Sequence, residues 1–325
     1  MKTNIIFFGS GTFGTETLSN LCQINDYSIK VVVTAPLKKQ GRNRKIVDNP
    51  IDIIAKNNNI QILRPDKIDT KFIKTIASYN PAIGILVNSS HFLPENLIKV
   101  FPNKIINVHP SLLPKHRGPS PIQTALLDGD YVTGISFMEI TKALDAGPII
   151  AQYPISIDNK DNLISLTNKL QLISANSINN VLQKIINKEL CYEKQNEDLA
   201  TYTSKIHKDD GRINWDQPAQ IINNNIRAYT GWPNSFTTFN EKRLMIHSAS
   251  IIDLDPTNKK HQIGTILSGN NRTYYYKNKL TKIHASIRCK NSELVIEFLQ
   301  IANKQRVHIQ DFINGNKDFI GKKLI

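Results

Sequence analysis

The sequence predicts an α/β protein: a Rossmann-like, mainly parallel, doubly wound sheet followed by a smaller C-terminal β-barrel of OB-like type. Three observations predict it. Strand-like and helix-like segments alternate from the N-terminus to about residue 187, as in a chain of βα units. One of them, Pro81-Ala-Ile-Gly-Ile-Leu-Val87, is a continuous apolar run of the kind a strand covered on both faces requires. Past residue 209 the pattern changes to short strand-like segments separated by Gly, Asn, Lys and Pro, as in a small barrel. At 325 residues the chain is long enough for two cores.

In order, Asn4-Ile-Ile-Phe-Phe8 reads as the first strand. Gly9-Ser-Gly11-Thr-Phe-Gly14 then opens a helix with Leu18, Leu21 and Cys22 at its apolar positions. This G-x-G-x-x-G has the spacing of a dinucleotide fingerprint. The next strand, Ser28–Val33, ends in Thr34-Ala35-Pro36, without the acidic residue that would hold a ribose, so the glycines read as easing a turn. Residues 35–50 read as a loop. Five of the eight residues 38–45 are basic, namely Lys38, Lys39, Arg42, Arg44 and Lys45, and none is acidic. The loop follows a strand at the carboxyl edge of the sheet, where such folds place ligands, so phosphate contact competes with an inert solvated run. A helix over Pro50–Asn57, a strand over Gln61–Leu63 and a helix over 69–78 follow. After Val87 come Asn88-Ser-Ser-His91 and a short helix near Pro94.

Residues 104–118 are the centre of interest. The alternation of Lys-Ile-Ile-Asn107-Val-His109 reads as a buried strand, with Asn107 and His109 two apart and therefore on one face. Pro110, Pro114 and Gly118 then force the chain into an ordered loop. A helix over 119–127, a strand over 133–138, a loop over 142–148, a strand over 149–157 and a long helix over 162–187 complete a first domain of residues 1–189. Residues 190–208 lack apolar periodicity and read as a linker. The second domain, 209–325, starts at Gly211-Arg-Ile-Asn-Trp215, with a helix over 218–229 and strands at 235–239, 244–252, 264–267, 280–287 and 294–299.

Hydrophobic residues make up 40% of the chain, which excludes a disordered protein. The three cysteines form no C-x-x-C pair, so neither a zinc site nor a disulfide framework is expected, and a reduced, cytoplasmic setting fits. The N-terminus lacks the apolar segment and cleavage site of a signal peptide. The net charge is +14. Residues 1–189 hold 21 basic and 14 acidic residues, and the remainder 20 and 13, so each part carries +7. Such an excess suits a large anionic partner, although a composition rich in Asn, Ile and Lys could raise it alone.

Singly, Asn107 could cap a loop, His109 could be a core histidine and Asp145 could be a turn residue. Together they carry more. Asn107-Val-His109-Pro-Ser111-Leu-Leu-Pro114, then Arg117-Gly118-Pro-Ser-Pro-Ile, then Leu144-Asp145-Ala-Gly147, resemble the signature of the formyltransferases that use 10-formyltetrahydrofolate. The likeness extends over nearly the whole chain, through Tyr202-Thr-Ser-Lys205-Ile, Arg212-Ile-Asn-Trp215, Ile226-Arg227-Ala, Trp232-Pro233 and Phe312-Ile-Asn-Gly315. The C-terminal pieces are individually weak but collinear.

The resemblance implies formyl transfer from 10-formyltetrahydrofolate, as donor substrate, to the amino group of methionine on initiator methionyl-tRNA, a step of translation initiation. It implies catalytic roles for Asn107, His109 and Asp145 and a folate pocket shaped by Ser111, Leu112, Leu113 and Pro114. With that acceptor, the charge of the 35–50 loop and its place at the sheet's carboxyl edge point to tRNA contact through Lys38, Lys39, Arg42, Arg44 and Lys45. The chemistry suits these residues. Asn107 and protonated His109 can donate to the oxyanion of a tetrahedral intermediate, while Asp145 holds His109 or relays the amine's proton. No metal is called for, and the chain reads as a monomer without membrane contact. Pro114 raises the chance of a cis bond. After Val87 the family has small residues followed by Tyr-Gly in a loop that lines the folate site; here Asn88-Ser-Ser-His91 stands instead. The rival readings are a formyltransferase acting on an amino sugar nucleotide and a tRNA-binding protein with a vestigial enzyme fold.

Overall fold

In the computed structural model, which describes residues 2–37, 39–40, 45–46, 48–89, 91–189, 192–276 and 279–325, the N-terminal strand β1 (Thr3–Gly9) is an interior strand of a sheet. Its Ile5, Ile6, Phe7 and Phe8 are fully buried. The chain continues through α1 (Thr15–Gln23), β2 (Tyr27–Val33), a two-residue pair β3 (Lys39–Gln40) and β4 (Lys45–Ile46), α2 (Pro50–Asn57), β5 (Gln61–Leu63), α3 (Thr70–Ala77) and β6 (Ile83–Val87). It goes on through α4 (Glu95–Ile98), β7 (Ile105–His109), α5 (Pro121–Asp128), β8 (Val132–Glu139), β9 (Ile149–Ser156) and α6 (Leu163–Ile186). Among the described residues the sheet order is β5-β2-β1-β6-β7-β8-β9. The pairs from β5 to β7 are parallel, and β7–β8 and β8–β9 are antiparallel. This is the expected Rossmann-like, mainly parallel sheet.

Local chemistry sets the element ends. The Asn49 side chain accepts from Ile51 N–H, Asp52 accepts from the Asn49 N–H, and Pro50 occupies the first helical turn, so α2 starts where expected. Asp69 caps α3 through Phe72 N–H. At the β1–α1 turn, Gly11 has φ +73°, and a Cβ on Gly9 would stand 2.7 Å from the Phe7 ring, so the glycines serve a tight turn and close packing. β1 has β2 on one side and β6 on the other, a topological switch point. There Ser10 Oγ donates to the Asn88 carbonyl at 2.9 Å, and Asn88 Nδ2 donates back to the Ser10 carbonyl at 3.0 Å.

Residues 122–131, 158–165 and 205–325 form a second compact unit, and residues 1–121, 132–157 and 166–204 the first. The second contains α7 (Ala219–Ala228), β10 (Ser235–Phe239), β11 (Lys242–Asp253), β12 (Ile266–Ser268), β13 (Thr273–Tyr276), β14 (Lys279–Lys282), β15 (Ala285–Arg288), β16 (Ser292–Ile301), β17 (Val307–His308) and α8 (Ile309–Gly315). Its main sheet runs β10-β11-β16-β15-β12 with antiparallel pairing; β17 pairs with β16, and β13–β14 is a separate hairpin.

The C-terminal residues bridge the two outer strands of that sheet. Ile266 N–H donates to the Lys322 carbonyl, and Leu324 N–H donates to the Gly264 carbonyl, along the β12 edge. Thr238 N–H donates to the Ile325 carbonyl at 3.0 Å along the β10 edge. Residues 321–325 thereby give the sheet its barrel-like closure around Trp215, Ile226, Phe239, Leu299, Phe312, Phe319 and Leu324. Two features depart from the sequence expectation. Residues 280–287 form two strands, because the chain turns away from the β13 hairpin at Ile283 and His284. β3–β4 lies in a segment whose charge pattern reads only as loop.

Candidate active site

β7 carries Asn107 and His109 to the carboxyl edge of the sheet, on a strand whose residues are all buried. Its antiparallel neighbour β8 sets Ser136 opposite His109. Ser136 then fixes the following turn. Its hydroxyl donates to the Ser111 carbonyl at 2.6 Å and accepts from the Leu113 N–H at 3.0 Å and from Gln152 Nε2 at 2.8 Å. Leu113-Pro114 is cis. Of the four residues expected at a folate pocket, Ser111 and Leu113 are fully enclosed, whereas Leu112 and Pro114 keep exposed surface. Ser111 Oγ donates to the Lys115 carbonyl, and Leu113 packs on Met138 and Ile149.

Asp145 reaches the same place from the loop after β8. A Cβ on Gly147 would lie 1.8 Å from the Glu139 carbonyl oxygen, so only glycine lets this loop fold back flush on the strand. Asp145 itself has φ +47°, in the left-handed region. Its Oδ2 accepts from the Gly118 N–H at 2.8 Å, and its Oδ1 accepts from Asn107 Nδ2 at 3.3 Å. His109 Nδ1 stands 3.7 Å from Oδ2. The three residues read from the sequence are therefore brought together.

The other ring nitrogen of His109, Nε2, is 2.9 Å from the His116 carbonyl. A carbonyl only accepts, so Nε2 carries hydrogen, and in the neutral ring Nδ1 presents its lone pair. Burial pushes the His109 pKa below the ordinary 6.5; the Asp145 carboxylate and the His116 carbonyl pull the other way without overcoming it. The site thus holds an amide donor, an imidazole poised to gain a proton, and a carboxylate beside both.

Residues 192–204 supply the remaining support. Arg117 is 1% exposed. Its guanidinium donates to Gln195 Oε1 from Nε and Nη2, to both Glu197 carboxylate oxygens, and to Tyr202 Oη. The backbone of this segment adds Arg117 N–H to the Thr201 carbonyl and Thr203 N–H to the Arg117 carbonyl. Gly118 has φ +113°, and a Cβ there would meet Thr203 Oγ1 at 2.8 Å. His91, which replaces the expected Tyr-Gly, lies 2.9 Å through Nε2 from the Pro65 carbonyl. Of the basic loop residues, Lys38, Arg42 and Arg44 lie outside the described residues. Lys39 and Lys45 contribute described backbone in β3 and β4, and their side chains lie outside what is described. Among the described residues, no group of three or more His, Cys, Asp and Glu is placed to hold a metal.

Residues 1–182 match the formyl transferase family, and residues 205–317 match the formyl transferase C-terminal domain. The chain belongs to the formyltransferase family. This formyltransferase is 33% identical over 327 residues to the methionyl-tRNA formyltransferase of Staphylococcus epidermidis, covering 99% of this chain and all of that one. It is 33% identical over 316 residues to that of Caldicellulosiruptor saccharolyticus, covering 97% of each. In fold it is similar to an N-formyltransferase from Helicobacter canadensis in complex with folinic acid and dTDP-3-aminofucose. The TM-score there is 0.63, at 19% identity over 91% of this chain and 99% of that one. Arg117, Gln195 and Glu197 of this formyltransferase are not recognisable from the sequence as support for the site. Arg117-Gly118 is visible as a motif, but its partners lie about 80 residues on, in a stretch without periodicity.

Proposed function

We propose that this formyltransferase moves the formyl group of 10-formyltetrahydrofolate to the amino group of methionine on initiator methionyl-tRNA, with Asn107, His109 and Asp145 at the reacting atoms. The observation that carries this reading is the convergence of Asn107 Nδ2, His109 Nδ1 and the Asp145 carboxylate at the end of β7. The two relatives named for methionyl-tRNA, each covered end to end or nearly so, favour that acceptor, and a net charge of +14 suits a polyanion.

Amine attack on a formyl carbon places negative charge on oxygen and leaves a surplus proton on nitrogen. Asn107 Nδ2 donates to that oxygen. His109, neutral before the reaction because it is buried, takes the amine's proton at Nδ1 and becomes an imidazolium only as the charge develops. The adjacent Asp145 stabilises it in that form, so the interaction is stronger in the transition state than before it. Collapse of the intermediate breaks the bond between the formyl carbon and the folate nitrogen, and His109 passes its proton to that nitrogen, so tetrahydrofolate leaves and the imidazole is neutral again. One such donor contributes about 2.7–4 kcal/mol. Leu112 and Pro114 offer apolar surface for the folate, on a turn fixed by Ser136. Lys38, Lys39, Arg42, Arg44 and Lys45 meet the acceptor end of the tRNA, the lysines through charge and Arg42 by a base or bidentate phosphate contact.

The test supplies 10-formyltetrahydrofolate with charged initiator tRNA and, in parallel, with an amino sugar nucleotide. Formyl incorporation into methionine alone supports the reading. Incorporation only into the sugar sinks it, and incorporation into neither returns the chain to a binding role.

A further inference from the structure

Gln195 lies outside the residues to which formyl transfer is assigned above, yet its amide is fully engaged at the site. Its Oε1 accepts from Arg117 Nε at 3.0 Å and Nη2 at 2.8 Å. Its Nε2 donates to the Asp145 carbonyl at 2.8 Å and to the Gly147 carbonyl at 2.8 Å. The side chain is 5% exposed. Arginine only donates and carbonyls only accept, so a single amide orientation satisfies all four bonds. The loop so held contains Asp145 in the left-handed region, which a non-glycine residue seldom adopts unaided, and Gly147 packed flush on the Glu139 carbonyl.

We infer that Gln195 is a positioning residue of this formyltransferase: with Arg117 behind it, it fixes the Asp145 loop so that the carboxylate faces Asn107 and His109. This rests on the role proposed for Asp145. Arg117 in turn donates to Glu197 and Tyr202, which hold it against Gln195. The Asp145 carboxylate is then held from three directions: backbone through Gln195, Oδ2 through the Gly118 N–H, and Oδ1 through Asn107. A site built this way loses geometry, not substrate affinity, when the amide is changed.

The deciding variant is Gln195→Glu, which keeps the size and a partner for Arg117 but replaces the two N–H donors with an oxygen facing two carbonyls. Gln195→Asn, one methylene short, cannot reach both sides at once. Steady-state formylation is measured for both, with Asp145→Asn as reference. In folded Gln195→Glu, kcat should fall 10- to 100-fold, with KM for folate and tRNA within about twofold of the parent. The pH limb that reports His109 should move to lower pH, because the carboxylate that raises its pKa is displaced. Gln195→Asn should show a smaller loss and a shift in the same direction. A folded Gln195→Glu with parental kcat and pH limb, or with its loss confined to KM, overturns the inference. Failure of both variants to fold also overturns it, since the residue would then hold the fold and not the site. An Asp145→Asn enzyme with parental kcat would remove the catalytic reading itself, whatever Gln195 does.

Discussion

At the residue scale, His109 carries the account. Its Nε2–H is bound to a backbone carbonyl, so Nδ1 is the nitrogen left for chemistry, and burial keeps it neutral at rest. The proposed mechanism needs that neutral form in the free enzyme. The acid limb of kcat/KM should therefore have an apparent pKa below the ordinary 6.5, once the titration of the substrate amine is measured separately. Asp145 raises the pKa of His109, so Asp145→Asn should move the limb lower still as well as slow turnover. A limb above 6.5 in the parent enzyme would contradict the assignment of His109 as proton acceptor. Stability follows the same sign. The folded-state pKa lies below the unfolded value, so the contribution of His109 is fully present above the unfolded pKa. It is lost as pH falls from there toward the folded pKa, where the unfolded chain takes the proton first.

At the scale of elements, two turns hold the proposed site. Ser136 on β8 pins the Ser111–Leu113 turn through a buried hydroxyl with three partners. Ser136→Ala should cost roughly 1–3 kcal/mol in stability, because the Leu113 N–H loses its acceptor. It should also raise KM for the folate more than KM for the tRNA. Equal effects on the two KM values would place the folate elsewhere. Gly147→Ala drives a methyl into the Glu139 carbonyl, so the Asp145 loop must lift from β8. Overpacking of about 1–3 kcal/mol and loss of turnover should appear together, read by thermal unfolding and single-turnover formylation.

Much at this scale is legible in the sequence. Asn49-Pro50 and Asp69 mark the starts of α2 and α3, because a cap is a local hydrogen bond. Asn107, His109 and Asp145 are legible as a motif, and the turn at Pro114 as a break in the strand. Gln195 and Glu197 are not, since their meaning comes from Arg117, 78 and 80 residues earlier. His116 is hidden for another reason. Its carbonyl, which sets the His109 tautomer, is backbone and leaves no trace in residue type.

At the scale of the whole molecule, the second unit depends on its own C-terminus. Leu324 is 2% exposed in the core, and its N–H joins the β12 edge. Leu324→Ala should cost about 2–5 kcal/mol and lower the melting transition of the second unit; an unchanged transition would show that the closure contributes nothing. This closure is not legible, because five residues that pair with two outer strands carry no pattern of their own. Net charge is legible, and it makes a prediction. Replacing Lys38, Lys39, Arg42, Arg44 and Lys45 together should weaken tRNA binding and flatten its salt dependence, by about 0.7–0.9 in log–log slope for each phosphate no longer neutralised. Unchanged formylation kinetics at two salt concentrations would mark the loop as bare surface.

Single-turnover transfer of labelled formyl from 10-formyltetrahydrofolate to methionine on charged initiator tRNA, by the parent enzyme and by Asn107→Ala, tests the proposed active site most directly. The parent should label the methionine amine. The variant should do so about 100- to 1,000-fold more slowly while binding both substrates as tightly as the parent. Parental rates in Asn107→Ala, or a loss explained by weaker binding alone, would contradict the site described here.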